Sequence, residues 1–205
     1  MAYFITFEGV EGAGKSTQIK KISNYFKKNN ISFISLREPG GTLLGERVRK
    51  ILLKEKGLKI DPITETLLMM VSRRHLLIEK IIPSLKEGKI VLCDRFIDST
   101  IAYQGYGRGV DIKWIKEIFN FVCFNFYPHL TFLLDLEIEE GFKRIKGKIK
   151  DRFEEEEISF HKKVRDGFLK IAKEEKRVVL IDSKKEKKEI FKNILGCLKE
   201  RSLIS

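Results

Sequence analysis

Between residues 7 and 17 the chain reads FEGVEGAGKST, and few segments this short restrict a fold so tightly. Gly9, Gly14, Lys15 and Ser16 stand in the register G-x-x-x-x-G-K-[ST], the pattern of a phosphate-binding loop set between a strand and a helix. Such a loop turns successive backbone N–H groups inward on an anion, which needs positions without a Cβ, and Gly9, Gly12 and Gly14 provide them. Val10, Ala13 and Thr17 complete the cradle. Lys15 brings a mobile charge to the outer phosphates, and the Ser16 hydroxyl suits Mg2+. The flanks give the required context. YFITF (3–7) is a β-branched and aromatic run typical of a buried strand. Beyond the loop, Ile19, Ile22, Tyr25 and Phe26 recur at helical spacing until Asn29-Asn30. Glu11 is discordant, because a carboxylate about 4 Å from a phosphate is repelled by roughly 4 kcal/mol per charge pair at an effective dielectric of about 20. It is therefore expected to turn away from the nucleotide, toward a hydrogen-bond donor.

Apolar runs alternate with helical patterns along the rest of the chain. ISFISL (31–36), KIVLCD (89–94), LTFLLDL (130–136) and RVVLID (177–182) read as further strands, with helices at about 43–54, 62–86, 111–123, 137–147, 155–174 and 186–200. Short, continuously apolar strands separated by helices imply a parallel sheet covered on both faces. The expectation is an α/β chain with a P-loop NTPase fold, about five strands, and residues 1–205 in one domain. The one compositional break is KRIKGKIKDRFEEEE (143–157), where periodicity gives way to charge; it reads as a lid.

The 41 basic against 29 acidic residues give a net charge of +12, which suits anionic partners. In KEKKEIFKN, however, lysines alternate with glutamates as on a solvated helix face, so small nucleotides rather than nucleic acid are expected. Cys93, Cys123 and Cys197 are odd in number and form no C-x-x-C pair, as in a reducing compartment. The chain begins directly with a strand, and no apolar stretch approaches the ~20 residues of a membrane span. A cytoplasmic protein without a membrane partner is expected. Neither N-K-x-D nor D-x-x-G occurs, which argues against a switch GTPase, and no apolar run ends in Asp-Glu as in DNA-directed ATPases. A kinase acting on a small acceptor needs a second anion site built from arginines, since Arg grips phosphate bidentately. Arg37, Arg49, Arg73, Arg74 and Arg95 are available for it.

With REPGGT (37–42), SRR (72–74) and DRFIDSTIAYQG (94–105) in this order, the chain resembles the thymidylate kinases of the bacterial type over nearly its whole length. The resemblance implies transfer of the γ-phosphoryl of ATP to dTMP, giving dTDP for dTTP synthesis, with Mg2+ and in a homodimer. It implies that Arg95 holds the acceptor phosphate, with Arg37 and Arg49 near it. Arg49 equally fits a solvated helix residue. Asp94 would help place Mg2+ or its waters, or else be a strand-end carboxylate. Arg73 matches the donor to the base carbonyl, Thr100 and Gln104 match readers of the pyrimidine edge, and Tyr103 matches the wall that leaves no room for a 2′-hydroxyl. Tyr103 at helical spacing also fits a core residue. In this family a carboxylate at the position of Glu11 reaches the acceptor's 3′-hydroxyl, with Glu38 and Pro39 of REPGG nearby. Glu8 has no such role and is read as structural. Met69 stands where the family usually stacks a phenylalanine on thymine, and His75, His129 and His161 match nothing catalytic. Some members carry a transition-state arginine at the position of Gly12; here it has to come from the lid. Arg152 of DRFE is expected first, then Arg144, then one of Lys146, Lys148 and Lys150.

Overall fold

A computed structural model describes residues 2–55, 57–147 and 151–204, so Lys148 and Lys150 of the expected lid lie outside the described residues. Five parallel strands, β1 (Phe4–Glu8), β2 (Phe33–Arg37), β3 (Ile90–Asp94), β4 (Leu130–Asp135) and β5 (Val178–Asp182), form one sheet in the order β2-β3-β1-β4-β5. The helices are α1 (Lys15–Lys28), α2 (Leu43–Lys54), α3 (Pro62–Leu76), α4 (Ile82–Lys86), α5 (Ile97–Thr100), α6 (Ile112–Cys123), α7 (Ile138–Arg144), α8 (Ile158–Glu174) and α9 (Lys187–Glu200). This is the P-loop NTPase fold. The inner strands are buried along their length (Phe4, Ile5, Phe7, Val91, Leu92, Phe132 and Leu134 are fully covered), as strands with helices on both faces must be. Strand order reverses around β1, and open parallel sheets bind ligands beyond the carboxyl ends of their strands at such a switch point. In that row Phe7 stands opposite Asp94, and Arg37 opposite Asp94 from the other side.

Local chemistry sets most boundaries. Asp61 caps α3 by accepting from the N–H groups of Ile63 and Thr64, with Pro62 in the first turn, where a missing N–H costs nothing. Thr42 caps α2 through Gly45, and Asp111 caps α6 through Lys113 and Trp114. The single helix expected over 62–86 is helical throughout but passes through a π-helical stretch at Leu77–Ile81. Pro83, which cannot donate and clashes with the preceding turn, follows at once, and a wider turn accommodates it. The larger difference is at 97–107, which lies outside the helices expected from the sequence. Here α5 runs into a second π-helical stretch, Ile101–Gly107. Asp98, Thr100 and Gln104 are buried here along with Ile97, Ala102 and Gly105, so polar and apolar residues are not sorted between a wet and a dry side and no amphipathic period results. The segment expected to start α8 at 155 is instead a turn, pinned where Asp151 Oδ1 accepts from the N–H groups of Phe153 and Glu154 at 2.9 and 3.0 Å.

Candidate active site

The phosphate loop leaves β1 and enters α1 through glycines in the left-handed region, Gly12 at φ 73° and Gly14 at φ 94°. Its far side rests on α7. A Cβ on Gly12 would lie 2.2 Å from the Gly141 carbonyl oxygen, and one on Gly141 would lie 2.3 Å from that of Glu11, so two backbones meet with no side chain between them. Ser183, just past β5, donates from its hydroxyl to the Ala13 carbonyl at 2.7 Å. Lys15 folds back to donate to the carbonyls of Gly9 and Val10 at 2.9 and 3.0 Å. Burial, helped by the neighbouring Arg95, lowers the Lys15 ammonium to about 8. The Ser16 hydroxyl donates to Asp94 Oδ2 at 2.8 Å, which joins the loop to the tip of β3. A hydroxyl and a carboxylate side by side are hard oxygen donors of the kind Mg2+ takes, so the residues present fit that ion.

Beside the loop lies a cavity of about 350 Å³. Every residue expected to touch the acceptor lines it: Glu11, Arg37, Glu38, Pro39, Arg49 and Met69 on one part of the wall, and Arg73, Arg95, Thr100, Tyr103 and Gln104 on the rest. Glu11 does turn toward donors. Arg95 Nη2 reaches its Oε1 at 2.8 Å, and the Tyr103 hydroxyl lies 2.7 Å from both of its oxygens. Burial opposes the charge on Glu11, but Arg95, Lys15 and the Tyr103 hydroxyl outweigh it and hold the pKa below the ordinary carboxylate value. Arg95 is itself held by Ser99 Oγ at 2.9 Å, and its charge is favoured despite burial by Tyr103 and Glu11.

Glu8 proves to be part of this scaffold. Fully buried, it accepts from the Phe96 N–H at 2.7 Å and pairs with Ser99 Oγ at 2.5 Å, so it steadies the hydroxyl on which Arg95 rests. Burial, with the Asp98 charge adding to it, pushes Glu8 up to about 8. Arg73 is buried and nearly saturated: Nε donates to Glu38 at 2.8 Å, Nη2 donates to the Phe96 carbonyl and to Thr100 Oγ1, and Nη1 meets Met70 Sδ. Of its five N–H groups, one on Nη1 remains. The second oxygen of Glu38 is buried without a hydrogen-bond partner, and burial raises this carboxyl to about 7 against the pull of Arg73. At the outer edge Arg37 pairs with Glu46, and Arg49 donates to the Pro39 carbonyl at 2.8 Å.

A second cavity adjoins the loop, lined by Gly12 to Thr17 and by Arg144, Lys184, Lys185, Lys187 and Lys188. Gly9 and Val10 do not line it; their carbonyls are taken by Lys15. Lys185, Lys187 and Lys188 of KEKKEIFKN, read from sequence as a solvated face, thus edge a cavity. Arg152, expected at the transferring phosphate, lies elsewhere. It donates to the Leu52 carbonyl at 3.0 Å and to Glu65 at 2.5 Å, because a buried carboxylate is a stronger site than an open loop. Arg144 sits beside the loop, donating to the Ser183 carbonyl at 3.0 Å and to Glu140. Sequence reading also passed over Gly141, Ser183, Ser99 and Glu65. Only Gly141 carried a signal, a glycine within a helical pattern.

A family profile described as thymidylate kinase matches residues 7–194. The thymidylate kinase of Thermoanaerobacter sp. (strain X514) is 46% identical over 198 residues, covering 96% of this chain and 97% of that protein. The thymidylate kinase of Sulfurihydrogenibium sp. (strain YO3AOP1) is 47% identical over 206 residues, with 100% of both covered. A crystal structure of thymidylate kinase from Ehrlichia chaffeensis superposes with a TM-score of 0.76 at 38% identity, covering 96% of this chain and 98% of that one.

Proposed function

Because this chain belongs to the thymidylate kinase family, we propose that it transfers the γ-phosphoryl of ATP to dTMP, with dTMP in the first cavity and ATP across the phosphate loop in the second. One observation carries the assignment of the two cavities: Gly12, Lys15 and Ser16 line both. A phosphoryl group held at these residues therefore lies at the border of the acceptor cavity, as in-line transfer requires. Transfer of this kind needs positioning and charge stabilisation more than covalent help. Lys15, released from the Gly9 and Val10 carbonyls, serves the donor phosphates, and Arg95 holds the acceptor phosphate with Arg37 and Arg49 at the rim. Ser16 and Asp94 would hold Mg2+, which when bound would offset negative charge on the phosphates. Arg144, next to the loop, stabilises the charge spread over the equatorial oxygens.

At the nucleoside end, the spare N–H of Arg73 suits a base carbonyl, and Met69 packs on the ring. The unpartnered buried oxygen of Glu38 suits a sugar hydroxyl, as does Glu11, while Tyr103 crowds the 2′ position. The lid, part of the one domain, serves this cavity: Ile145, Asp151, Phe153 and Glu154, all among its described residues, line it. The reading includes a homodimer. Ile63, Leu67 and Val71 lie four residues apart along α3 and are 45%, 42% and 45% exposed, and Phe121 on the adjoining α6 is 84% exposed. Such an apolar stripe suits a second copy of the same face. Free thiols at all three cysteines agree with a cytoplasmic location, and no helix among the described residues is long and apolar enough to cross a membrane.

The test is ADP release with ATP, Mg2+ and a panel of nucleoside monophosphates. We expect dTMP to turn over best, dUMP weakly, and dCMP, AMP and GMP only marginally, because a site built to pair with particular base edges rejects those that leave its polar groups unmatched. Comparable turnover of AMP refutes the proposal.

A further inference from the structure

We propose that Glu65 sets which pyrimidine the base pocket accepts, by holding the Gln104 amide in one of its two orientations. The inference deepens the dTMP reading above and rests on it. Glu65 lies on α3, 1% exposed, and is not itself part of the cavity wall. A buried carboxylate persists only where donors surround it. Three converge here: Gln104 Nε2 at 2.8 Å, Arg152 Nη2 at 2.5 Å and Arg108 Nε at 3.4 Å.

A carboxylate ringed by donors only accepts, so the end of the Gln104 amide that touches it is the NH2. The amide is planar, and its carbonyl oxygen is the end left for the acceptor cavity, which Gln104 lines. An amide alone is an ambiguous reader, since rotation by a half-turn exchanges acceptor for donor. With Glu65 behind it, Gln104 offers the base an acceptor only. Thymine and uracil carry a hydrogen at ring N3 and satisfy it; cytosine presents a lone pair there and leaves two acceptors facing one another. A site that pairs with a specific N–H rejects the analogue lacking it, because its buried group is left unmatched. Glu65 is thus a positioning residue acting through Gln104 and touching no substrate.

In Glu65→Gln the new amide oxygen stays with the Arg152 guanidinium, and the new NH2 faces Gln104 Nε2 and Arg108 Nε; Arg108 gives up only its long 3.4 Å contact and keeps its 2.7 Å pair with Glu156. Gln104 relieves that donor–donor contact by turning over, which puts its own NH2 into the cavity. The experiment measures kcat/KM for dTMP and for dCMP in the wild type, Glu65→Gln, Glu65→Asp and Arg108→Ala, each checked for folding by thermal melting. Arg73 also discriminates at the base, but its share is common to all four proteins and cancels when their ratios are compared. We expect the dTMP-to-dCMP ratio to fall at least tenfold in Glu65→Gln, with the KM for ATP unchanged. Simple loosening of the pocket lowers both substrates together and leaves the ratio alone. Arg108→Ala, which removes a contact to the same carboxylate but none to Gln104, is expected to keep the wild-type ratio. A ratio within twofold of wild type in folded Glu65→Gln overturns the inference, as does an equal fall in Arg108→Ala. Should Glu65→Gln not fold, Glu65→Asp decides, since it keeps the charge for the arginines but withdraws the oxygen from Gln104; there too a tenfold fall supports the role and an unchanged ratio refutes it. A wild-type enzyme that does not prefer dTMP would instead remove the underlying reading, a result visible before any variant is made.

Discussion

Replacing a glycine inside a helix by alanine ordinarily strengthens the helix, by about 1 kcal/mol. At Gly141 of α7 the opposite is expected. The added Cβ would lie 2.3 Å from the Glu11 carbonyl oxygen, where ordinary contact begins at 3.4 Å, so one of two backbones has to yield. Overpacking of this kind costs about 1–3 kcal/mol, which offsets the helical gain and leaves a variant neutral to about 2 kcal/mol less stable. The larger effect falls on turnover. The atom displaced belongs to Glu11, whose carboxylate is fitted between Arg95 and Tyr103, and the Gly12 backbone moves with it. A misplacement of about 1 Å at such a site is worth about a hundredfold in rate. The assay is denaturant unfolding of Gly141→Ala beside steady-state kinetics on dTMP. A variant more stable by about 1 kcal/mol, with kcat within threefold of wild type, would show that the loop does not depend on this contact.

Burial raises Glu8 to about 8 and Glu38 to about 7, so the folded protein binds more protons than the unfolded chain above the ordinary carboxylate value of 4.5; stability is therefore expected to fall as pH rises from about 4.5 to 8. Glu8→Gln, which keeps an acceptor for the Phe96 N–H, is expected to flatten much of that slope and to be more stable at pH 8 by about 2–4 kcal/mol in urea unfolding; an unchanged slope refutes the assignment. Arg144→Ala is expected to lower turnover at least a hundredfold with little change in the dissociation constant for dTMP, whereas Arg152→Ala chiefly raises the KM for dTMP; the reverse pattern would return the transition-state role to Arg152. Val71→Glu is expected to convert a dimer to a monomer in sedimentation velocity with the far-ultraviolet spectrum intact, and a wild type that sediments as a monomer removes that reading.

Features whose cause is local were legible in the sequence. The five strands are short apolar runs, and the phosphate loop announces itself by glycine spacing. Charge repulsion said that Glu11 would seek donors, and Arg95 and Tyr103 are the donors the structure places there. Tyr103 had two competing readings, core and pocket, and it is both: 6% exposed and facing the cavity. What escaped has a cause spread along the chain. Ser183 braces Ala13 from 170 positions away, and Glu65 meets Arg152 across 87; neither pair leaves a periodic trace. The helix at 97–107 was invisible because burial on all sides erases the amphipathic pattern that marks a helix. Arg152 was placed by its neighbourhood in sequence, which says nothing of a buried carboxylate on another helix waiting to capture it.

Arg95 stands at φ 72°, a left-handed backbone that a residue with a Cβ holds only at a cost of about 1–2 kcal/mol. It also holds a guanidinium against the Glu11 carboxylate with only 18% and 13% of the two side chains exposed. For laboratory evolution the implication is unfavourable. The pair Arg95→Gly and Glu11→Gln relieves the backbone and removes both buried charges, so a library screened for heat resistance alone has a downhill path that erases the acceptor site. Variants of this chain selected for robustness should therefore be screened for phosphoryl transfer in the same round, since the positions most able to gain stability are those the chemistry occupies.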